Sequence, residues 1–179
     1  MNPNTSKSLR NLTFYALLIA MSIVFSRALS ISTGFLRFNL GSLPVILAAV
    51  LFGPAAGFAV GAIADIIGGV LAGYAINPLI TLGAGAVGLF AGLGWRYLPS
   101  RRENVRLGGG ILLGHMVGSM ILNSLALRLF YGYAWSVLAA RIPNALILAA
   151  AEFFLMRALL ANHSLMAAAR GNFTGRRSE

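Results

Sequence analysis

Ionisable side chains standing inside apolar stretches are the residues with chemistry to offer: Asp65, His115 and Glu152, with Arg27, Arg37, Arg128 and Arg141 toward the ends of such stretches. A charged group in a membrane span is costly and faces a cavity or a partner, so each marks a candidate site. His115 and Glu152 fall at similar depth and read first as a structural hydrogen-bonded pair, second as a proton relay. Asp65 is expected to pair with Arg27 or Arg37 and to brace a pocket. Asn123, Arg128, Arg141 and Asn144 gather at another level, and the three-residue spacing of Arg141 and Asn144 puts them on one helix face. Tyr131, Tyr133 and Trp135 lie in the connection between those two stretches, where aromatics anchor interfaces. They also cap a pocket of arginine and asparagine, a set suited to stacking on a flat ring and pairing with carboxylates. Asn77, at the start of another apolar run, adds helix N-terminal donors on the same side.

Enzyme constellations are missing. The two histidines have no HxxxH or HExxH spacing, and no Gly-rich loop precedes a Lys-Ser/Thr pair. With no cysteines, thiolate metal sites and disulfides are excluded. No cofactor is expected.

The elements that must hold these residues are membrane helices. The chain has 179 residues, 58% hydrophobic and 10% charged, with a mean hydropathy of +0.81, far from the roughly 25% charged composition of soluble domains. Its net charge of +10 is dispersed around apolar runs, which fits membrane orientation better than nucleic-acid binding. A ruler of about 20 residues per span gives six, at about 11–30, 40–53, 55–73, 77–98, 107–131 and 137–161, the second the shortest. The first is read as a retained span rather than a signal peptide. Gly53-Pro54 ends one span and opens the next, because proline cannot continue a helix but suits a first turn. Residues 31–42 read as a connection on the opposite side, carrying Arg37.

Charge sets the expected orientation. With a cytoplasmic N-terminus, Lys7, Arg10, Arg96, Arg101, Arg102, Arg106, Arg157, Arg170, Arg176 and Arg177 fall inside, and Arg27, Arg37, Arg128 and Arg141 outside. The expected fold is therefore an all-α polytopic membrane protein of six transmembrane helices, with both termini cytoplasmic. It forms one domain over 1–165, followed by a basic cytoplasmic tail over 166–179. The outer arginines run against the positive-inside trend and favour an anionic ligand. Gly57-x-x-x-Gly61, Gly88-x-x-x-Gly92 and Gly114-x-x-x-Gly118 have helix-packing spacing and are read as contacts within the bundle.

These residues resemble a known family, the substrate-binding S components of energy-coupling factor (ECF) vitamin transporters. YALLIAMSIVFSRAL carries Ala16-x-x-x-Ala20, similar to the family's AxxxA surface for the coupling subunit. LRFNLGSLPVILAAVLFGPAAGFAVGAIADIIGG, with R-x-x-L-G-x-L-P, L-F-G-P and G-x-x-x-D, is most similar to the folate-specific branch, as is YGYAWSVLAARIPNALILAAAEFFL. The resemblance spans residues 10–160. It implies a multi-pass protein of the bacterial plasma membrane that captures a vitamin from outside and has no ATPase of its own. Its partners would be a transmembrane coupling protein and two cytoplasmic ATPases, with Ala16 and Ala20 at the coupling contact. Folate is the expected substrate, with Arg37, Asn77, Asn123, Arg128, Tyr133, Trp135, Arg141 and Asn144 around it. Another water-soluble vitamin such as pantothenate is the alternative. From a different class, a self-sufficient ion-coupled carrier would use Asp65, His115 and Glu152 as its relay, and an assembly factor would bind no small molecule.

Overall fold

The computed structural model describes residues 3–33 and 36–162; the tail expected over 166–179 lies outside them. Helix α1 (Pro3–Ala28) leads into two antiparallel strands, β1 (Ser30–Thr33) and β2 (Leu36–Asn39), followed by α2 (Ser42–Phe52), α3 (Pro54–Leu71) and α4 (Pro78–Tyr97). Then α5 (Glu103–Gly114), a π-helical segment (His115–Asn123) and α6 (Ser124–Tyr131) run on as one rod, and a short α7 (Trp135–Ala139) precedes α8 (Arg141–Ala161). Five stretches among the described residues are long and apolar enough to cross a membrane. An even number of passes, counting α2, returns both ends to one side, called here the terminal side.

Three details differ from expectation. The connection over 31–42 contains a hairpin that pairs Ser30 with Asn39 and Ser32 with Arg37. Its sequence alternates polar and apolar residues, the period of a strand rather than of a loop. Helix α2 has only 11 residues, about 16 Å at 1.5 Å each, or roughly half of a 30 Å hydrocarbon core. Strand β2 packs beside α8, so the hairpin rather than helix occupies the rest of that column, and its ladder satisfies the backbone groups a bilayer could not. The last span is also not one helix from 137. Pro143 has no N–H to bond the Ala139 carbonyl, so the chain breaks at Ala140 and Pro143 sits in the first turn of α8.

The turn between α2 and α3 follows from its sequence. Gly53 adopts φ 103°, open to glycine and strained for other residues, and Pro54 opens α3 where its missing N–H costs nothing. Behind it, α3 and α4 pack backbone to backbone. A Cβ at Gly57 would lie 2.9 Å from the Gly88 carbonyl oxygen, and one at Gly61 2.5 Å from that of Ala84. Gly114 and Gly118 approach the carbonyls of Val87 and Gly83 in the same way. All three glycine pairs thus serve contacts within the chain, as small residues do in membrane bundles. Around them Leu43, Ile46, Val87, Ile111, Ala149 and Met156 form the core where α2, α4, α5 and α8 meet.

Gly88→Val should be among the least tolerated changes in this layer. Its Cβ would strike the Gly57 backbone, which cannot rotate away, so the expected cost lies at the upper end of overpacking, about 3 kcal/mol. Thermal melting of the detergent-purified protein checks this against Gly69→Ala, where a Cβ meets nothing within 4 Å.

Candidate functional site

The α5–α6 rod and α8 run antiparallel and touch near their middles. Both α5 and the π segment pack on α8, whereas α6 is not among its substantial neighbours. The two spans therefore splay apart toward the side opposite the termini. In that splay lies a crevice of about 200 Å³, walled by Met116, Met120 and Ile121 on one helix and Ile142, Ala145 and Leu146 on the other, with His115 also lining it. Methionine is unbranched and polarisable, a lining that adapts to a flat aromatic guest.

Behind His115, below the crevice, lies a buried polar cluster. His115 Nε2 lies 2.6 Å from Glu152 Oε2, and Ser42 Oγ donates to Glu152 Oε1. Glu152 is 0% exposed and His115 3%. Glu152 sits about 16 Å along α8 and His115 about 18 Å along its rod, so the pair is near mid-span. The first turn of α2 reaches the same depth because that helix is short, and Ser42 brings its N-terminal end to the carboxylate, where partial positive charge favours an anion. The expected His115–Glu152 pair is present. Ser42, its third member, was not anticipated: no spacing links residues 110 positions apart.

Further along the rod, α6, α7 and the segment between them fold on one another. Arg128 Nη1 donates to the Tyr133 carbonyl at 3.0 Å, and its guanidinium lies 5.6 Å from the Trp135 ring centre. Gly132, at φ 67°, makes the turn that closes this loop. Tyr133 is close enough to Arg141 to interact with it electrostatically. Asn144 stands one turn further in on α8, partly buried. Arg128, Tyr133 and Trp135 are thus brought together by direct contacts, with Arg141 near Tyr133 and Asn144 one turn along α8; none of them lines the crevice itself. Tyr133 and Trp135 remain exposed.

The other expected contacts are placed differently. Asn77 caps α4, its Oδ1 accepting from the Leu79 and Ile80 N–H groups at 3.0 and 3.4 Å, which commits that oxygen to the helix. Asn123 Oδ1 is buried with no hydrogen-bond partner and abuts Gly83 of α4, where a Cβ would collide with it. Arg37 is on β2 opposite Ser32; its side chain lies outside what is described. The expected ion pair between Asp65 and Arg27 does not form. Asp65 Oδ2 accepts from Thr81 Oγ1 at 2.7 Å, tying α3 to α4, while Arg27 donates to the Gly68 carbonyl and covers Tyr74 at 5.7 Å. Both residues brace α3, by separate hydrogen bonds instead of a shared charge pair. Asp65 is accordingly not joined to His115 and Glu152 in one relay. Ala16 and Ala20 are exposed on α1. No group of three or more metal-binding side chains exists among the described residues.

Five apolar stretches among the described residues are long enough to cross a membrane and, with an apolar crevice between two of the spans, define a helical multi-pass membrane protein. Residues 10–160 match the family of the ECF transporter substrate-specific component, and the chain belongs to that family. A curated relative, folate transporter FolT of Clostridium novyi (strain NT), is 29% identical over 133 residues, covering 74% of this chain and 76% of its own. A solved structure, FolT bound with folic acid, superposes with a TM-score of 0.68 at 25% identity, covering 90% of this chain and 93% of that one. The S component of a bacterial ECF transporter gives a TM-score of 0.64 at 19% identity, with 86% and 96% covered, and shares the fold.

Proposed function

We propose that this chain is the folate-binding subunit of an ECF-type importer, taking the vitamin into the crevice between the α5–α6 rod and α8 and delivering it with an ATPase module. The observation that carries the reading is what lies on and beyond that crevice. Its wall is methionine and aliphatic, and beyond the wall, where α6, α7 and the start of α8 come together, stand Arg128, Tyr133, Trp135 and Arg141. Folate has the matching division, a flat ring at one end and carboxylates at the other. Similarity to proteins named for folate transport and for a folic acid complex supports the same choice.

In this reading both termini are cytoplasmic, the opening faces outward, and the protein resides in the bacterial cell membrane. The terminal side carries Arg96, Arg101, Arg102, Arg106 and Arg157, in keeping with the positive-inside rule. The energising partners are a transmembrane coupling protein and two cytoplasmic ATPases. Ala16 and Ala20, one helical turn apart on an exposed face of α1, supply the small-residue surface on which a partner helix can come close. The chain itself is a transport subunit and not an enzyme.

Calorimetric titration of the purified chain in detergent, without ATP, tests the substrate. Heat of binding is expected with folic acid and not with pantothenate. The reverse result would overturn folate and leave the family assignment standing.

A further inference from the structure

We propose that a second cleft, on the terminal side, binds the phosphate of an anionic phospholipid headgroup. It is about 220 Å³ in volume and lies where the Gly53–Pro54 turn meets the end of α4 and the start of α5. Two guanidinium groups enter it. Arg96 Nη1 comes within 4.0 Å of the position a Cβ on Gly53 would take. Arg106 lies over the Trp95 ring at 5.3 Å and donates from Nη2 to the Arg96 carbonyl at 3.3 Å.

Neither charge is neutralised. Among the described residues the only salt bridge is that of His115 with Glu152, in mid-span, and Glu103 in the first turn of α5 pairs with neither arginine. Arg106 Nε is buried without a hydrogen-bond partner, which a cation tolerates poorly unless an acceptor completes it. A tetrahedral, singly charged phosphodiester supplies several acceptor oxygens, and guanidinium forks match that geometry. The open turn at Gly53, without a side chain, leaves the approach clear.

Place decides in favour of lipid. The cleft sits at the ends of four helices, α2, α3, α4 and α5, with Trp95 and Tyr97 beside it, at the level where aromatics mark the headgroup region. An anionic headgroup is held at that level by its own acyl chains. Arg101 and Arg102, in the connecting loop, are exposed and do not line the cleft, so they serve as internal controls.

Native mass spectrometry of the full chain with phosphatidylglycerol, phosphatidylcholine or inorganic phosphate tests this. Phosphatidylglycerol adducts should exceed phosphatidylcholine adducts, and Arg96→Gln and Arg106→Gln should each lower the former about fivefold, the loss expected for one surface arginine. Arg101→Gln should lower it less than either. Arg96 is exposed, so its variant keeps the fold and remains informative should Arg106→Gln destabilise the protein. Displacement of the lipid by inorganic phosphate would keep the phosphate site and move its source to solution. Equal phosphatidylglycerol retention in Arg96→Gln and Arg101→Gln, or no preference over phosphatidylcholine, would overturn the proposal.

Discussion

Arg141→Ala is expected to weaken folic acid binding by about 2–5 kcal/mol, the usual result of truncating one partner of a desolvated charge pair, which is about 30-fold at its lower bound. The effect at Arg141 should exceed that at Arg128 for a physical reason. Arg128 is already engaged, through the Tyr133 carbonyl and the Trp135 face, and is exposed, so solvent screens what it offers a ligand. Arg141 is partly buried at the first turn of α8, with Asn144 one turn further along the same face. Arg128→Ala should therefore cost under about tenfold, within the range of an exposed pair. Arg141→Lys should recover part of the loss, since a point charge remains but the planar fork does not. Calorimetry on the purified variants decides; an unchanged affinity in Arg141→Ala removes that residue from the site.

The largest effect on stability is expected at Glu152. Removing its carboxylate leaves the buried His115 ring and the Ser42 hydroxyl without their acceptor, and breaking a buried pair from one side costs about 3–5 kcal/mol. Glu152→Ala should accordingly lower the melting temperature more than any single substitution at Arg128 or Arg141. Taking away both partners is a different experiment, because the His115 ring is then no longer stranded and only the Ser42 hydroxyl loses its acceptor. His115→Leu with Glu152→Leu should return most of the stability, as apolar replacements of buried pairs do elsewhere. A double variant no more stable than Glu152→Ala would show that the pair holds α8 in place by something other than mutual satisfaction, with the Ser42 bond as the remaining cause. Melting curves of the two variants and the parent make the comparison.

Much of the architecture is legible in the sequence because membrane helices write themselves in long apolar runs. Gly53-Pro54 located one turn without ambiguity, since glycine supplies the positive φ and proline the fresh start. The short α2 was harder. A run over 40–53 looks like a thin span, and only the Ser30–Asn39 pairing shows why it need not be longer. The break before α8 was not read, because a proline in a first turn is also compatible with a helix starting elsewhere. The site was read unevenly. His115 and Glu152 could be matched by depth alone, as each lies near the middle of an apolar span. Asp65 and Arg27 could not, because depth says nothing of rotation about the helix axis: Thr81 met Asp65 and a main-chain carbonyl met Arg27. Ser42 and the methionine wall were missed for the same reason, since Ser and Met carry no signal until a neighbouring helix is placed beside them.

The close approach of α3 to α4 has a mechanical consequence. Helices that touch through their backbones have no side-chain layer left to yield, and the Thr81–Asp65 bond pins them again. That pair behaves as a stiff plate. Backbone contact extends to the rod through Gly114 and Gly118, so compliance is left to α6, α7 and the end of α8 beside them, which such contacts do not reach. A load on those elements would therefore leave the plate's shape unchanged, and one applied to the exposed face of α1, tied to α3 by Arg27, would pass to the plate as a whole.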